Sequence, residues 1–146
     1  MSGFDSLFSG MNFQGTIQKY CNQIGWKISD INSEIAVLKF DMQSGRTQTM
    51  LISRNENMLS FLVVSMFKFD SEDQVPNYLS TILMKRNAQI MIGKWGINVS
   101  NSAHIYSVGH SVDMQLMNAD FFRRVVTILI TECDDLETYL LKMINQ

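Results

Sequence analysis

Residues 35–67 read IAVLKFDMQSGRTQTMLISRNENMLSFLVVSMF, three apolar runs separated by two short polar breaks. In the first run Ala36, Leu38, Phe40 and Met42 fall on one face, with Ile35, Val37, Lys39 and Asp41 on the other. That is the period of two of an extended strand. Ser44-Gly45 then makes a tight turn, where glycine tolerates a positive φ. Thr47–Arg54 returns, and Asn55-Glu56-Asn57 turns the chain again. Met58–Phe67 is the third strand, and its near-continuous apolar run predicts a central strand covered on both faces, or on one face by a second chain.

Upstream of this meander, Phe13, Ile17, Tyr20, Cys21 and Ile24 recur at helical spacing, with Asn12 as the expected N-cap and Gly25 closing the helix. Residues 1–12 carry no period and are expected to form a loose segment, or an arm in which Phe4, Phe8 and Phe13 dock on a partner or on the domain. Trp26–Ile31 is a short strand-like lead-in. Downstream, Pro76 suits the first turn of a helix that runs through Leu79 and Leu83 to about Ile90. Gly93–Val99 and Ala103–Leu116 read as a two-strand hairpin turned at Ser100–Ser102, with a bulge at Gly109. Asn118 can cap a last helix through Phe122, Val126, Leu129, Cys133, Leu136 and Leu140 to about Ile144. At 1.5 Å per residue that helix reaches roughly 40 Å. A small domain cannot cover that length, so one end is expected to overhang or to pack on another subunit. The order α-β-β-β-α-β-β-α, with antiparallel strands, predicts a two-layer α+β domain over residues 13–146.

Composition bounds the function. The 146 residues are 46% hydrophobic and 18% charged, with a net charge of −2. These values fit one globular domain and argue against intrinsic disorder. A nucleic-acid binder needs a clustered basic face, and Lys85, Arg86, Lys94, Arg123 and Arg124 are the only material for one, so no nucleic-acid partner is expected. The apolar windows Met58–Phe67 and Val125–Ile130 are too short to span a bilayer, so no membrane partner is expected. The start MSGFDSLFSG lacks a basic, then apolar, leader, which points to a cytoplasmic address. Cys21 and Cys133 lie on apolar helical stripes and read as reduced, buried thiols.

No constellation for a reaction stands out. His104 and His110 share a strand face, but two ligands do not close a metal site, so neither a metal nor a cofactor is expected. A cysteine nucleophile would need a base and an orienting group beside it. Gly93-Lys94-Trp95-Gly96 matches no phosphate-cradle motif. Glu132, Asp134, Asp135 and Glu137 read as a solvated helix face. Eleven methionines are many for this length. They read as core filling, with a tolerant apolar surface for a partner as the functional alternative.

The element order, together with Pro76, Leu79, Leu83, Asn87, Gly93 and Trp95, resembles the YbjN-like proteins, which share the fold of the type III secretion chaperones. That family carries a leucine–asparagine pair before a Gly-x-aromatic strand opening. Here the pair is Arg86-Asn87, so the leucine is absent. The resemblance implies a small bacterial protein, homodimeric, without a catalytic signature, and a role in binding partner polypeptides or in regulation. The reading is a non-enzymatic interaction module with Phe61, Val63, Phe67, Phe122, Val126 and Leu136 at a dimer or partner interface. The alternative is a small-molecule-binding domain or enzyme with a site between sheet and helices near Trp95, His104, Tyr106 and His110.

Overall fold

The computed structural model describes residues 3–145, with side chains from Phe13 onward. Three helices and six strands follow in the order α1 (Gly3–Ile24), β1 (Asp30–Ile31), β2 (Ile35–Asp41), β3 (Thr47–Asn55), β4 (Met58–Phe69), α2 (Asn77–Asn87), β5 (Lys94–Ser100), β6 (Ala103–Asp113) and α3 (Ala119–Ile144). The strands form one antiparallel sheet in the order β1-β2-β3-β4-β6-β5, the expected α+β arrangement. The two-residue β1 is the lead-in before the meander.

The register explains why the core lies on one face. Leu38, Met50, Val63, Val108 and Trp95 pair in succession across five strands, and all five are buried. The next row outward on the opposite face is Val37, Leu51, Leu62, Gly109 and Lys94, none of which is buried. Alternation therefore gives the buried row to the helices and leaves the other face unburied among the described residues. β4 is central, as expected, but covered on one face only.

Helix α3 supplies the other half of the core. Asn118 caps it by accepting from the Phe121 amide at 2.8 Å. Its buried positions run from Phe122 to Leu140, about five turns. The ring of Phe122 meets Tyr20, Trp26 and Phe61 at centroid distances of 5.2, 6.1 and 5.8 Å. The expected overhang is thus limited to the last turn, where Met143 and Ile144 are exposed, because the chain's own sheet and its flanking elements cover the rest.

Several local expectations shift. α1 begins at Gly3, so Asn12 lies inside the helix and does not cap it. Phe13 is fully buried in the chain's own core and is not available to a partner. Phe4 and Phe8 fall where side chains are outside the described residues. The irregularity expected at Gly109 sits in the partner strand, between Val64 and Lys68 of β4. Gly109 itself pairs in regular register, and its missing Cβ matters because a Cβ there would approach the Phe61 carbonyl oxygen to 2.9 Å.

The acidic cluster is the largest departure. Glu132, Asp134 and Glu137 are buried, not solvated, and only Asp135 of the four is exposed. Ser44 Oγ donates to Asp134 at 2.8 Å, and Gln48 Nε2 donates to Glu137 at 2.6 Å and to Asp134 at 3.1 Å. Arg46 pairs with Asp134 at 3.1 Å and with Glu137 at 3.3 Å, and also donates to Thr138 Oγ1. Glu137 Oε2 accepts from the Met66 amide at 2.7 Å, inside the irregular stretch of β4. Side chains from β3 and the turn before it, with one β4 amide, thus satisfy the Asp134 and Glu137 carboxylates that the helix pattern alone assigns to water.

The β5–β6 hairpin turns on Asn101 and Ser102, at φ 49° and 71°. Both positive angles fit a two-residue type I′ turn. Serine has no special tolerance for this region, and a left-handed residue costs about 1–2 kcal/mol when it carries a Cβ. Ser102→Gly should therefore stabilise the chain by about 0.5–1 kcal/mol after the entropic cost of glycine. Thermal denaturation should show a rise of about 2–4 °C.

Candidate functional site

The site begins with Asn87, the last residue of α2. Its side chain pairs with the backbone of Trp95 in β5: the Trp95 amide donates to Oδ1 at 2.7 Å, and Nδ2 donates to the Trp95 carbonyl at 3.0 Å. An amide side chain thus stands where the next strand's backbone would be. Lys94 Nζ reinforces the join by donating to the carbonyls of Asn87 and Ile90, each at 3.0 Å. Gly93 makes the approach, with φ +92° and an imagined Cβ only 2.6 Å from Leu129 Cδ2. Its amide donates to His110 Nδ1 at 3.2 Å. Burial, with help from the charge of Lys94, pushes the His110 imidazole below its usual range, which keeps Nδ1 free to accept.

Trp95 is fixed at its other end. Its indole N–H donates to Glu132 Oε2 at 2.9 Å, and Arg86 grips the same carboxylate through Nε at 2.8 Å and Nη2 at 2.7 Å. Burial alone pushes the Glu132 carboxyl up, but the hydrogen bonds from Arg86 and Trp95 and the Arg86 charge overcome it and leave the group below its usual range. Arg86 occupies the place of the absent leucine, and here that place holds a charged partner for α3.

What these contacts leave open is the outer edge of β5. This strand pairs only with β6, on its inner side. Asn87 occupies the outward N–H and C=O of Trp95, so those of Ile97 and Val99 point the same way by alternation. Ile97 is 42% exposed, Val99 62% and Met84 of the adjacent helix 71%. Between α2 and β5 lies a shallow groove of about 240 Å³ lined by Leu83, Met84, Trp95, Ile97 and Tyr106, with Ser80 Oγ and Tyr106 OH hydrogen-bonded at 2.6 Å.

The residues expected at an interface lie away from the β5 edge. Phe61, Val63, Phe122, Val126 and Leu136 are buried in the chain's own core. The reason is that the most apolar face of a strand or helix is the one the chain covers first. Phe67 is half-buried at the end of β4, beside Phe69, Leu79 and Leu140 in an apolar notch of about 340 Å³. Sequence reasoning missed Met84, Ile97 and Val99. Their signal was present: Ile97 and Val99 follow Trp95 at a period of two, and Met84 lies off the Leu79–Leu83 stripe. The methionines divide. Met50 and Met117 fill the core, whereas Met58, Met66, Met84, Met91 and Met143 are exposed.

The residues of the alternative reading do not converge. Trp95 and Tyr106 share the groove, but His110 holds the Gly93 turn and His104 bonds the Ser102 carbonyl at 2.8 Å. Six residues along a strand separate the two histidines by roughly 20 Å. Cys21 and Cys133 are fully buried, and burial pushes both thiols up, Cys21 to about 11. Among the described residues no group of three or more His, Cys, Asp or Glu is placed to hold a metal ion. No helix among them is long and apolar enough to cross a membrane.

With this geometry in hand, solved structures supply the comparison. A chain of the HopA1–SchA chaperone–effector complex superposes with a TM-score of 0.62 at 7% identity, covering 88% of this chain and 94% of that one. YbjN from E. coli, described as a proposed transcription regulator, superposes with a TM-score of 0.57 at 14% identity, covering 85% of this chain and 92% of that one. The fold is that of YbjN and the secretion chaperones. No protein-family profile and no curated protein matches the sequence. Both neighbours belong to proteins described by binding or regulation and not by catalysis.

The role given to Arg86 is testable. Arg86→Leu installs the leucine that the resemblance assigns to this place but leaves Glu132 buried without its cation, and should cost about 2 kcal/mol. Denaturant titration across pH checks the cause. In the wild type the folded pKa of Glu132 lies below the unfolded one, so its contribution is present at neutral pH and is lost on acidification through the carboxylate range. In Arg86→Leu burial outweighs the remaining bond from Trp95, the folded pKa rises above the unfolded one, and acidification should recover stability. Adding Glu132→Gln should restore most of the loss at neutral pH.

Proposed function

We propose that this chain is a non-enzymatic, cytoplasmic protein-interaction module that works as a homodimer in a chaperone-like or regulatory role. The observation that carries the reading is the free outer edge of β5, with Ile97 and Val99 exposed beside Met84. A strand edge of this kind is a template for another strand, because its N–H and C=O groups need partners and its apolar side chains need cover. Antiparallel pairing of β5 with the same strand of a second copy satisfies both needs under a twofold axis. Asn87 sets the register, since it closes the edge at Trp95 and leaves pairing to the segment from Ile97 to Ser100. The two α2 helices then flank the seam and bring Met84 over it. Methionine suits that place, being flexible and apolar.

The likeness to a chaperone–effector complex supports a polypeptide as the further partner. A non-enzymatic role is supported by the separated histidines and by thiols held protonated in the core.

Light scattering on the intact chain should give the mass of two copies in the micromolar range. Ile97→Lys and Val99→Pro each attack the edge without touching the core, and each should give a monomer with an unchanged circular-dichroism spectrum. A wild-type chain that stays monomeric at high micromolar concentration removes the dimer from the reading.

A further inference from the structure

On the opposite side of the molecule from β5, a groove of about 650 Å³ runs between Trp26 and the first half of α3. Its apolar wall is Trp26, Phe121 and Ile128, each half-buried. Trp26 is held in place by edge-on contact with Phe40 of β2, at a centroid distance of 5.1 Å, and by Phe122. The Trp26 indole N–H has no acceptor among the described residues. Arg123 and Arg124 line the rim together with the exposed carboxylate of Asp120, which leaves one net positive charge there.

These two arginines differ from others in the chain. Arg46 and Arg86 are tied to buried carboxylates. Arg124 has no hydrogen bond or ion pair among the described residues. Among the described residues Arg123 meets only Asp120, at 4.0 Å, with side chains 59% and 96% exposed, a contact worth little in water. Two guanidiniums without structural employment therefore stand beside an aromatic wall in an otherwise acidic protein. We propose that this groove binds a short acidic segment of a partner polypeptide, with carboxylates on Arg123 and Arg124 and a bulky apolar side chain against Trp26 and Phe121.

The chemistry selects this occupant. Guanidinium forks match carboxylates in a bidentate way. A bare anion would leave the wall of Trp26, Phe121 and Ile128 uncovered, and an uncharged apolar segment would leave Arg124 without a partner and Arg123 with only the exposed Asp120. The inference rests on the reading that this chain binds a protein. It is independent of the dimer, because the groove's Trp26 wall packs on Phe40 of β2 and the proposed seam lies at β5.

The test uses the full chain and capped synthetic hexapeptides with a central Leu-Phe pair, flanked by aspartate and glutamate in one and by lysine in the other. Fluorescence anisotropy should detect the acidic peptide and not the lysine peptide. Arg123→Glu with Arg124→Glu should weaken the acidic peptide at least tenfold and admit the lysine peptide. The doubly substituted chain should keep its light-scattering mass and circular dichroism, which separates loss of this site from loss of fold or of the dimer. Trp26→Phe should abolish the change in tryptophan emission on binding, since Trp95 is buried elsewhere. Equal affinity for both peptides, no binding of either, or binding insensitive to the arginine reversals would overturn the proposal. So would tighter binding of an oligothymidylate of equal charge, which would make the groove a nucleic-acid site.

Discussion

Three carboxylates on one helix hold this molecule in alignment. Glu132, Asp134 and Glu137 are taken out of water on α3, and such groups are tolerated only when fully partnered. Their partners are spread over the rest of the chain: Arg86 on α2, Trp95 on β5, Arg46 and Gln48 around β3, and an amide of β4. Hydrophobic contact would allow α3 to rotate or slide by part of a turn at modest cost. The carboxylates do not, because any slip leaves a buried charge without its hydrogen bonds. The helix is thereby locked in rotation and along its axis against β3 and β4 in the middle of the sheet and against β5 at one edge.

From that lock follows the unequal treatment of the two sheet edges. One edge ends in β1, two residues long, which offers little backbone to a neighbour. The other ends in β5, seven residues long, whose inner half is sealed by Asn87 and whose outer half is open. Natural sheets blunt long exposed edges with charge, proline or a covering element. Past Trp95 this strand has none of these and carries Ile97 and Val99 instead. The seal at Asn87 depends on Glu132, because that carboxylate anchors the Trp95 ring while Asn87 holds its backbone.

The fold was legible because its signals are local. Alternation over 35–42, the turn residues at Gly45 and Asn101, and the Asn118 cap each act within a few positions, and each is realised in the structure. The candidate site was less legible because period gives a face and not its fate. Val63 and Val64 are adjacent valines of one strand, yet the first is fully buried and the second 40% exposed. Only the position of α3 decides between them. The acidic cluster failed for the same reason: its partners Arg46 and Gln48 lie far away in sequence, so nothing near Asp134 marks it as buried.

A similar argument explains how this fold persists at 7–14% identity to its structural neighbours. Few side chains are demanded individually. The sheet needs only apolar residues of one parity, and the helix only a matching stripe. Backbone devices are stricter, since Gly93 must approach Leu129 without a Cβ and Asn87 must present both an acceptor and a donor to one residue. Arg86 shows the freedom that remains between such fixed points. A place that the resemblance assigns to leucine here carries a cation, and the change is accommodated because Glu132 faces it across the helix pair. Residues on the outside of the lock, such as Arg123, Arg124, Ile97 and Val99, are bound by no such rule, and it is there that proteins of one fold are free to differ in what they bind.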